Sequence, residues 1–590
     1  MVRQAKIAKE DLDDELWNVL VRPVEVIRDP VHKDIGLTAL ELKIINTPNF
    51  LRLIGLKQLG FTYLVYPGAV HNRFQHSLGT LHMANKIIAC CNQNAKKHPR
   101  ADPIPPSDEF MIRLVSLLHD LAHIPFGHTL DDEGNLFPSE WGDSNRSNVL
   151  EPIMDSVQSY LHDEYDIDDT ITKTIVEEIK EIIVSKNSMD FKSPYIVDIV
   201  NNTICADLLD YVQRDIYNTG LNERLGDRFL RYLAILPLVR ILDDNGKLTG
   251  EFGVFDEREE IAYPREKQFE THENNLVIKK RLVLMLYQYD MRKKREVPSR
   301  SPLTESIDLI RKQYSLAEKV YFHRTKVAAS AMIIAAVSSS GLTSKELITK
   351  SDEELMHDLL NNTESRKSKL LVENLKKRNL YKPIFKRGYF VPNEEDANTT
   401  KTLETVAERY RDKREREGLE SQLERAVRIP EGSIVVYCPD RKMNLKHFEM
   451  LIQGQYDSSI RPLEDFVTSW IRNEIDTIKN RHKALWNFQI FVDPSVTDPT
   501  DTTLRMTEQI AGMCSAIIGL NNEIPQLQGC WCNPQEVIVE GAVREWDGLH
   551  PENKVFFDES EKLKSEVHRY EEITHERVLE DIKSFKEKEG

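Results

Sequence analysis

A strongly apolar run, Met111-Ile112-Arg113-Leu114-Val115-Ser116-Leu117-Leu118, leads directly into His119-Asp120-Leu121-Ala122-His123. The spacing predicts a helix over 109–123, stopped by Pro125. So apolar a helix packs inside a fold, and this one carries an adjacent histidine and aspartate into the interior. An unpaired ionised carboxylate is expensive there, and a divalent cation offsets the cost. On a helix His119 and His123 lie one turn apart and share a face. Asp120 lies about 100° away and reaches the same ion from the next position.

Histidine is concentrated in this part of the chain. Seven of the 17 histidines (His71, His76, His82, His98, His119, His123 and His128) fall within 58 residues. Neutral imidazole is a common metal ligand, so a histidine cluster beside carboxylates points to a metal site. Upstream, Asn72-Arg73-Phe74-Gln75-His76-Ser77-Leu78-Gly79 places His76 at the start of a second helix. Downstream, Cys205-Ala206-Asp207 opens a third, predicted over 204–217 and closed by Gly220. Two imidazoles (His76, His119) and two carboxylates (Asp120, Asp207) make a net-neutral shell for a divalent ion. Coordination positions remain for water and phosphate, as metal-assisted phosphoester hydrolysis requires.

Composition narrows the class. A chain of 590 residues, 40% hydrophobic, holds about three or four compact units or one large helical body with appendages. Its 79 basic and 96 acidic residues leave a net charge of −17, which argues against broad nonspecific binding to nucleic acid or membrane surfaces. A local basic site for nucleic acid stays open. The longest apolar stretch, Val327–Val337, is far short of the roughly 20 residues of a membrane span. The first residues lack the apolar run of a signal peptide. Seven scattered cysteines form no disulfide framework and suit a reducing cytoplasm. Cys530-Trp531-Cys532 is a weak metal signal on its own.

The periodicity predicts a helix and connector over 1–23, a dense helical body over 24–341, a helical linker region over 342–429, a small α/β unit over 430–492, and an extension with a charged helical tail over 493–590. Within the body, Gly60–Gly68 reads as an extended piece, and 131–148 as a surface loop. A hairpin is expected within 230–263, a solvated basic segment over 291–300, and one helix over 307–337. Strands are expected at Ser433–Cys438 and Phe488–Val492.

The order His, His-Asp, Asp on separate helices resembles the HD-domain metallophosphohydrolases. Closer likeness lies in Lys57-Gln58-Leu59-Gly60, in Tyr66-Pro67-Gly68-Ala69 and in His71-Asn72-Arg73-Phe74-Gln75-His76-Ser77. His119 through His128, Asp207 through Asp215, and Tyr321-Phe322-His323 extend it. These segments are similar to the HD-domain deoxynucleoside triphosphate triphosphohydrolases, whose eukaryotic branch has a sterile-alpha-motif domain in front; no such domain fits before Val24. The fold this implies is mainly α, an HD-domain helical core with a smaller α/β C-terminal region.

The resemblance implies that His76, His119, Asp120 and Asp207 bind the metal, as Mn, Fe or Zn, with Mg on the substrate phosphates. It implies that His128 and Asp131 handle proton transfer and the attacking water, and that His123 lines the phosphates. Arg73 would hold phosphate, Gln58 and Leu59 would read the sugar, Tyr211 and Asp215 would continue along the ribose, and Tyr321 would approach the base. A homo-oligomer, a dNTP substrate, and a role in trimming dNTP pools or in antiviral defence follow from the same likeness. The sequence also departs from the family. Asp143-Ser144 stands where a His-Glu pair is common, and Leu208 and Gln313 stand where a lysine and an arginine are expected. Arg311, Lys312, Lys319 and Arg324 are the nearby candidates to replace those cations. Asn46, Leu51 and Ile54 replace polar groups of the eukaryotic activator site. Another HD phosphohydrolase (a phosphodiesterase, nucleotidase or single-strand nuclease) and a nonhydrolytic nucleotide sensor remain alternative readings.

Overall fold

The computed structural model describes residues 12–524, except 138–142, 185–190, 192, 203, 274, 291, 294, 389–396, 441–449, 455–458, 467–468, 497–501 and 521. The fold is mainly α, with two principal sheets. Helix α1 (Arg73–Ala95) packs against both α2 (Pro106–Leu118) and α3 (Ala206–Thr219). A capping box opens α1: the Asn72 side chain accepts from the Gln75 amide, and the Gln75 side chain accepts from the Asn72 amide. Leu78, Leu81, Ala84, Ile87, Ile88 and Cys91 recur at helical spacing and are buried. Each buried leucine or isoleucine contributes about 1.5–3 kcal/mol relative to exposure. Gly79 lets α1 and α3 approach, because a Cβ there would lie 1.8 Å from Asp210 Oδ1 and 2.4 Å from Arg214 Nη2.

Helix α2 ends at Leu118, earlier than expected, and residues 119–122 form turns. Pro125 has no N–H to give the Leu121 carbonyl. The Arg52 guanidinium takes up that carbonyl at 2.8 Å and the His123 carbonyl at 2.9 Å. Gly60–Leu64 is a 3₁₀ helix rather than an extended piece. The expected surface loop begins as a π-helical turn, Thr129–Glu133, and a helix spans Asp143–Tyr165. The side chains of Asp143 and Ser144 lie outside the described residues, as do Cys530, Cys532 and the charged tail.

The single helix expected over 307–337 is divided. Helix α4 (Ser301–Leu316) runs into a π-helical turn at Ala317–Tyr321, and α5 (Arg324–Ser338) follows. The nearly all-buried α5 packs against α7 (Arg366–Lys376), which also contacts α6 (Asp352–Asn361). No helix among the described residues is long and apolar enough to cross a membrane.

Strands β1 (Leu233–Leu242), β2 (Leu248–Asp256) and β3 (Ile278–Met285) belong to one sheet. Further along come β4 (Lys382–Gly388), β5 (Ile434–Tyr437), β6 (Leu451–Gln453), β7 (Ser459–Pro462) and β8 (Asn487–Val492). The β1–β2 hairpin is present as expected, but the larger pattern differs. β1 pairs with β2 and β3, β3 pairs in parallel with β6, β6 pairs with β7, and β7 returns to β2. Five strands thus close on themselves around Ala234, Leu236, Leu238, Val254, Val283, Met285, Leu451 and Ile460. β4, β8 and β5 form a separate three-stranded sheet, against which α8 (Lys413–Val427) packs. The two strands expected within 430–492 pair with each other in this sheet, while β6 and β7, which lie between them in the sequence, join the first sheet. The basic segment near 291–300 supplies a strand, Arg295–Pro298, paired with Tyr287–Asp290.

Candidate metal and phosphate site

His76 lies in the first turns of α1, His119 caps the end of α2, and Asp207 is near the start of α3. Their ligand atoms lie within 4.8 Å of one another. His76 Nε2 is 3.2 Å and His119 Nε2 3.8 Å from Asp207 Oδ1. His119 Nδ1 donates to the Ser116 carbonyl at 2.8 Å, which turns the lone pair of Nε2 toward the cluster. Nε2 is buried without a hydrogen-bond partner among the described residues. A buried imidazole lone pair facing a carboxylate and a second imidazole is the donor set a divalent cation takes.

Asp120 adjoins the cluster, with Oδ2 at 3.6 Å from His76 Nε2 and Oδ1 at 3.5 Å from His119 Nε2. It is also held by Arg73 Nη1 at 2.5 Å and His123 Nε2 at 3.0 Å. Burial opposes its ionisation, but His123, Arg73 and His119 together hold its carboxyl well below the ordinary range. His76 shows the converse balance. Burial alone would lower it, while hydrogen bonds to Asp207 and Asp210 push it up to about 10. Such a carboxylate-rich box calls for positive charge, which a proton or a cation supplies. Burial lowers His119.

Asp210 was not singled out from sequence. Its Oδ2 accepts from His76 Nδ1 at 2.7 Å, directing Nε2 into the cluster. It also accepts from His32 Nε2 at 2.6 Å and from Arg214 Nε and Nη2 at 2.9 Å each. Arg214 continues to Asp29 at 2.9 Å. The available signal was the i, i+4 spacing of Asp210 and Arg214 on the helix that carries Asp207.

His128 and Asp131, expected as a pair, are not brought together. His128 Nδ1 lies 2.5 Å from Asp132 Oδ2, whereas Asp131 Oδ2 lies 3.7 Å from His123 Nδ1. Both carboxylates sit on the π-helical turn that follows His128, and that turn brings Asp132 rather than Asp131 back to the imidazole. Surrounding protein lowers His128, but the hydrogen bond to Asp132 outweighs this and raises it. His128 in turn holds Asp132 below its ordinary value against the opposing effect of burial. His123 and His128 stand edge to face, 5.0 Å between centroids.

Arg73 is 1% exposed, and its Nε and Nη2 have no hydrogen-bond partner among the described residues. A buried guanidinium with two unused donor nitrogens suits an oxyanion. Gly127, at φ +41°, makes room for it: a Cβ there would stand 2.2 Å from Arg73 Nη2. Gln58 Oε1 is likewise buried and unpartnered among the described residues, and Leu59 packs on the helical core. Asp215 accepts from His71 Nε2 at 2.8 Å and from the Tyr321 hydroxyl at 2.6 Å, while the Tyr211 hydroxyl accepts from Gln313 at 2.7 Å. Three of the candidate replacement cations are engaged: Arg311 with Glu474, Lys312 with Asp308, and Lys319 with Glu223.

No family model matches the chain. It is 30% identical over 248 residues to the deoxynucleoside triphosphate triphosphohydrolase SAMHD1 of Danio rerio, 38% of each chain. It is 33% identical over 226 residues to the same-named protein of Gallus gallus, 35% of this chain and 36% of that one. An uncharacterized protein of Methanocaldococcus jannaschii is 34% identical over 200 residues, 33% of this chain and 34% of the relative. The chain thus spans a little over a third of the length of these curated relatives. Over these stretches, and in its histidine and aspartate cluster, the chain resembles the HD-domain dNTPases.

Proposed function

We propose that this chain hydrolyses a deoxynucleoside triphosphate to the deoxynucleoside and triphosphate. The carrying observation is the convergence of His76, His119 and Asp207, with Asp120 beside them and the unused nitrogens of Arg73 adjoining. These four residues would hold a divalent ion, with Mn, Fe or Zn suited to the donors and Mg to the substrate phosphates. Such an ion, when bound, polarises a phosphoryl oxygen and lowers the pKa of water. Arg73 binds a phosphate oxygen through Nε and Nη2. A water oxygen bonds to the α-phosphorus and gives up a proton to the Asp131 carboxylate as the bond from phosphorus to the 5′-oxygen breaks, and His128 delivers the proton that the departing oxygen needs. Asp132 keeps that imidazole oriented, and Asp131 with His123 lines the approach of water. Gln58 and Leu59 face the sugar, with Tyr211, Asp215 and Tyr321 forming the wall beyond. The protein works as a homo-oligomer in the cytoplasm on dNTP pools.

The ion-paired state of Arg311, Lys312 and Lys319, with Leu208 and Gln313 in place of cations, favours a second reading. There the site serves a phosphodiesterase, nucleotidase or single-strand nuclease needing fewer phosphate contacts. Incubation with each dNTP, NTPs and single-stranded DNA, with Mn, Mg or Fe, decides between them. Tripolyphosphate from a dNTP is expected. Mononucleotides from DNA with dNTPs intact would overturn the first reading.

A further inference from the structure

The turn carrying Asp131 and Asp132 ends at Glu133, which is 3% exposed. A buried carboxylate needs compensation for both oxygens. One oxygen meets the Lys326 ammonium from α5, and the other accepts the Tyr437 hydroxyl from β5 at 2.9 Å. The next residue is held as well: the Gly134 carbonyl accepts from Arg416 Nη2 of α8 at 2.7 Å. Nη1 of the same guanidinium donates to the Tyr410 carbonyl at 3.0 Å and the Arg411 carbonyl at 2.8 Å, so Arg416 is itself fixed. Lys326, Arg416 and Tyr437 are all buried.

Two of these three anchors come from residues some 280 and 300 positions further along the chain, in the three-stranded sheet and its covering helix. The turn is tight where they grip it. A Cβ at Gly134 would stand 3.0 Å from the Leu130 carbonyl and 3.1 Å from Ile334. The Gly134 amide closes the turn on the Thr129 carbonyl at 2.9 Å. A segment clamped this closely transmits a shift at Glu133 to Asp132 and Asp131, one and two residues away.

We propose that Tyr437 and Arg416 are positioning residues, through which the C-terminal sheet sets the placement of Asp131, Asp132 and His128 against the histidine and aspartate cluster. The functional half of this rests on the proposed reading of that site. A misplacement of about 1 Å at reacting groups costs on the order of 10²-fold in rate.

Tyr437→Phe in the full chain tests it, since the ring stays in the core and only the hydroxyl is lost. Arg416→Lys is the second variant, should the first fail to fold. Hydrogen exchange is the readout independent of activity. Faster exchange confined to the peptide spanning 127–134 is expected, with the melting temperature and bound-metal content close to wild type. With dNTP, kcat should fall about tenfold or more at a nearly constant KM. Unchanged exchange in that peptide, exchange raised throughout, or unchanged kcat beside locally raised exchange would each overturn the proposal. A wild-type protein inert toward dNTPs would remove the functional reading instead and leave the exchange result to decide the anchoring.

Discussion

Two histidine–carboxylate pairs stand within this site, and they are built differently. His76 and Asp210 meet at 2.7 Å with side chains 1% and 0% exposed. Asp210 also accepts from His32 and twice from Arg214, so its lone pairs are used up. His128 and Asp132 meet at 2.5 Å with side chains 57% and 55% exposed. Protons cannot readily leave the first pair without stranding buried charge, whereas the second opens to solvent. The first arrangement holds an imidazole still, and the second leaves its imidazole free to exchange a proton with solvent. The two pairs thus make similar contacts in opposite surroundings, one sealed in protein and one open to solvent.

The largest effect should come from removing the cluster that the closed pair serves. His119→Ala with Asp120→Ala is expected to abolish bound metal, measured by elemental analysis, and hydrolysis together. Full activity in that double variant would break the assignment. Next, Asp210→Asn keeps the shape of the closed pair but removes its charge beneath Arg214 and two histidines. Metal affinity or activity should fall about 10- to 100-fold, with stability reduced by about 3 kcal/mol in denaturant titration. An effect no larger than that of a surface aspartate would erase the contrast between the pairs.

The open pair should respond differently. Asp132→Asn should lower kcat about tenfold or more while leaving metal content unchanged. Asp132 raises His128, so its loss should move the alkaline limb of the pH–rate profile to lower pH. An unmoved limb would show that His128 does not carry the proton. The smallest effect concerns His82, stacked on His32 at 4.9 Å between centroids. Burial, then His32 and Lys86, lower it from 6.5 to about 4. As pH falls the unfolded chain takes up this proton first, so stability present above pH 6.5 is lost between 6.5 and 4. His82→Leu should remove about 2 kcal/mol of that acid loss; an unchanged pH profile of stability would contradict it.

The grouping of His76, His119 and Asp207 was legible because the His-Asp that ends an apolar run is joined by a histidine and an aspartate opening two further helices. Sequence reading placed His76 and Asp207 on separate helices, as observed. Asp210 escaped because a carboxylate three residues from another on a helix resembles an ordinary solvated charge. The resemblance pairs His128 with Asp131, and no propensity signal in the sequence marks the π-helical turn that brings Asp132 to His128 instead. The five-stranded closure was hidden for another reason. Strands of three or four residues at 451–462 carry little periodicity, and their partners lie well over a hundred residues earlier.

That closure has a consequence for synthesis. The histidines and aspartates of the site are all made by residue 215, yet β2 and β3 gain their remaining neighbours only when residues 451–462 emerge. Until then β2 and β3 each present an unpaired edge, the kind of surface that joins other chains edge to edge. Contacts so distant along the chain also form slowly. A nascent or truncated chain can therefore contain the entire reactive cluster and still be bound for aggregation, and the span from 285 to 451 is the stretch of translation during which a chaperone matters most.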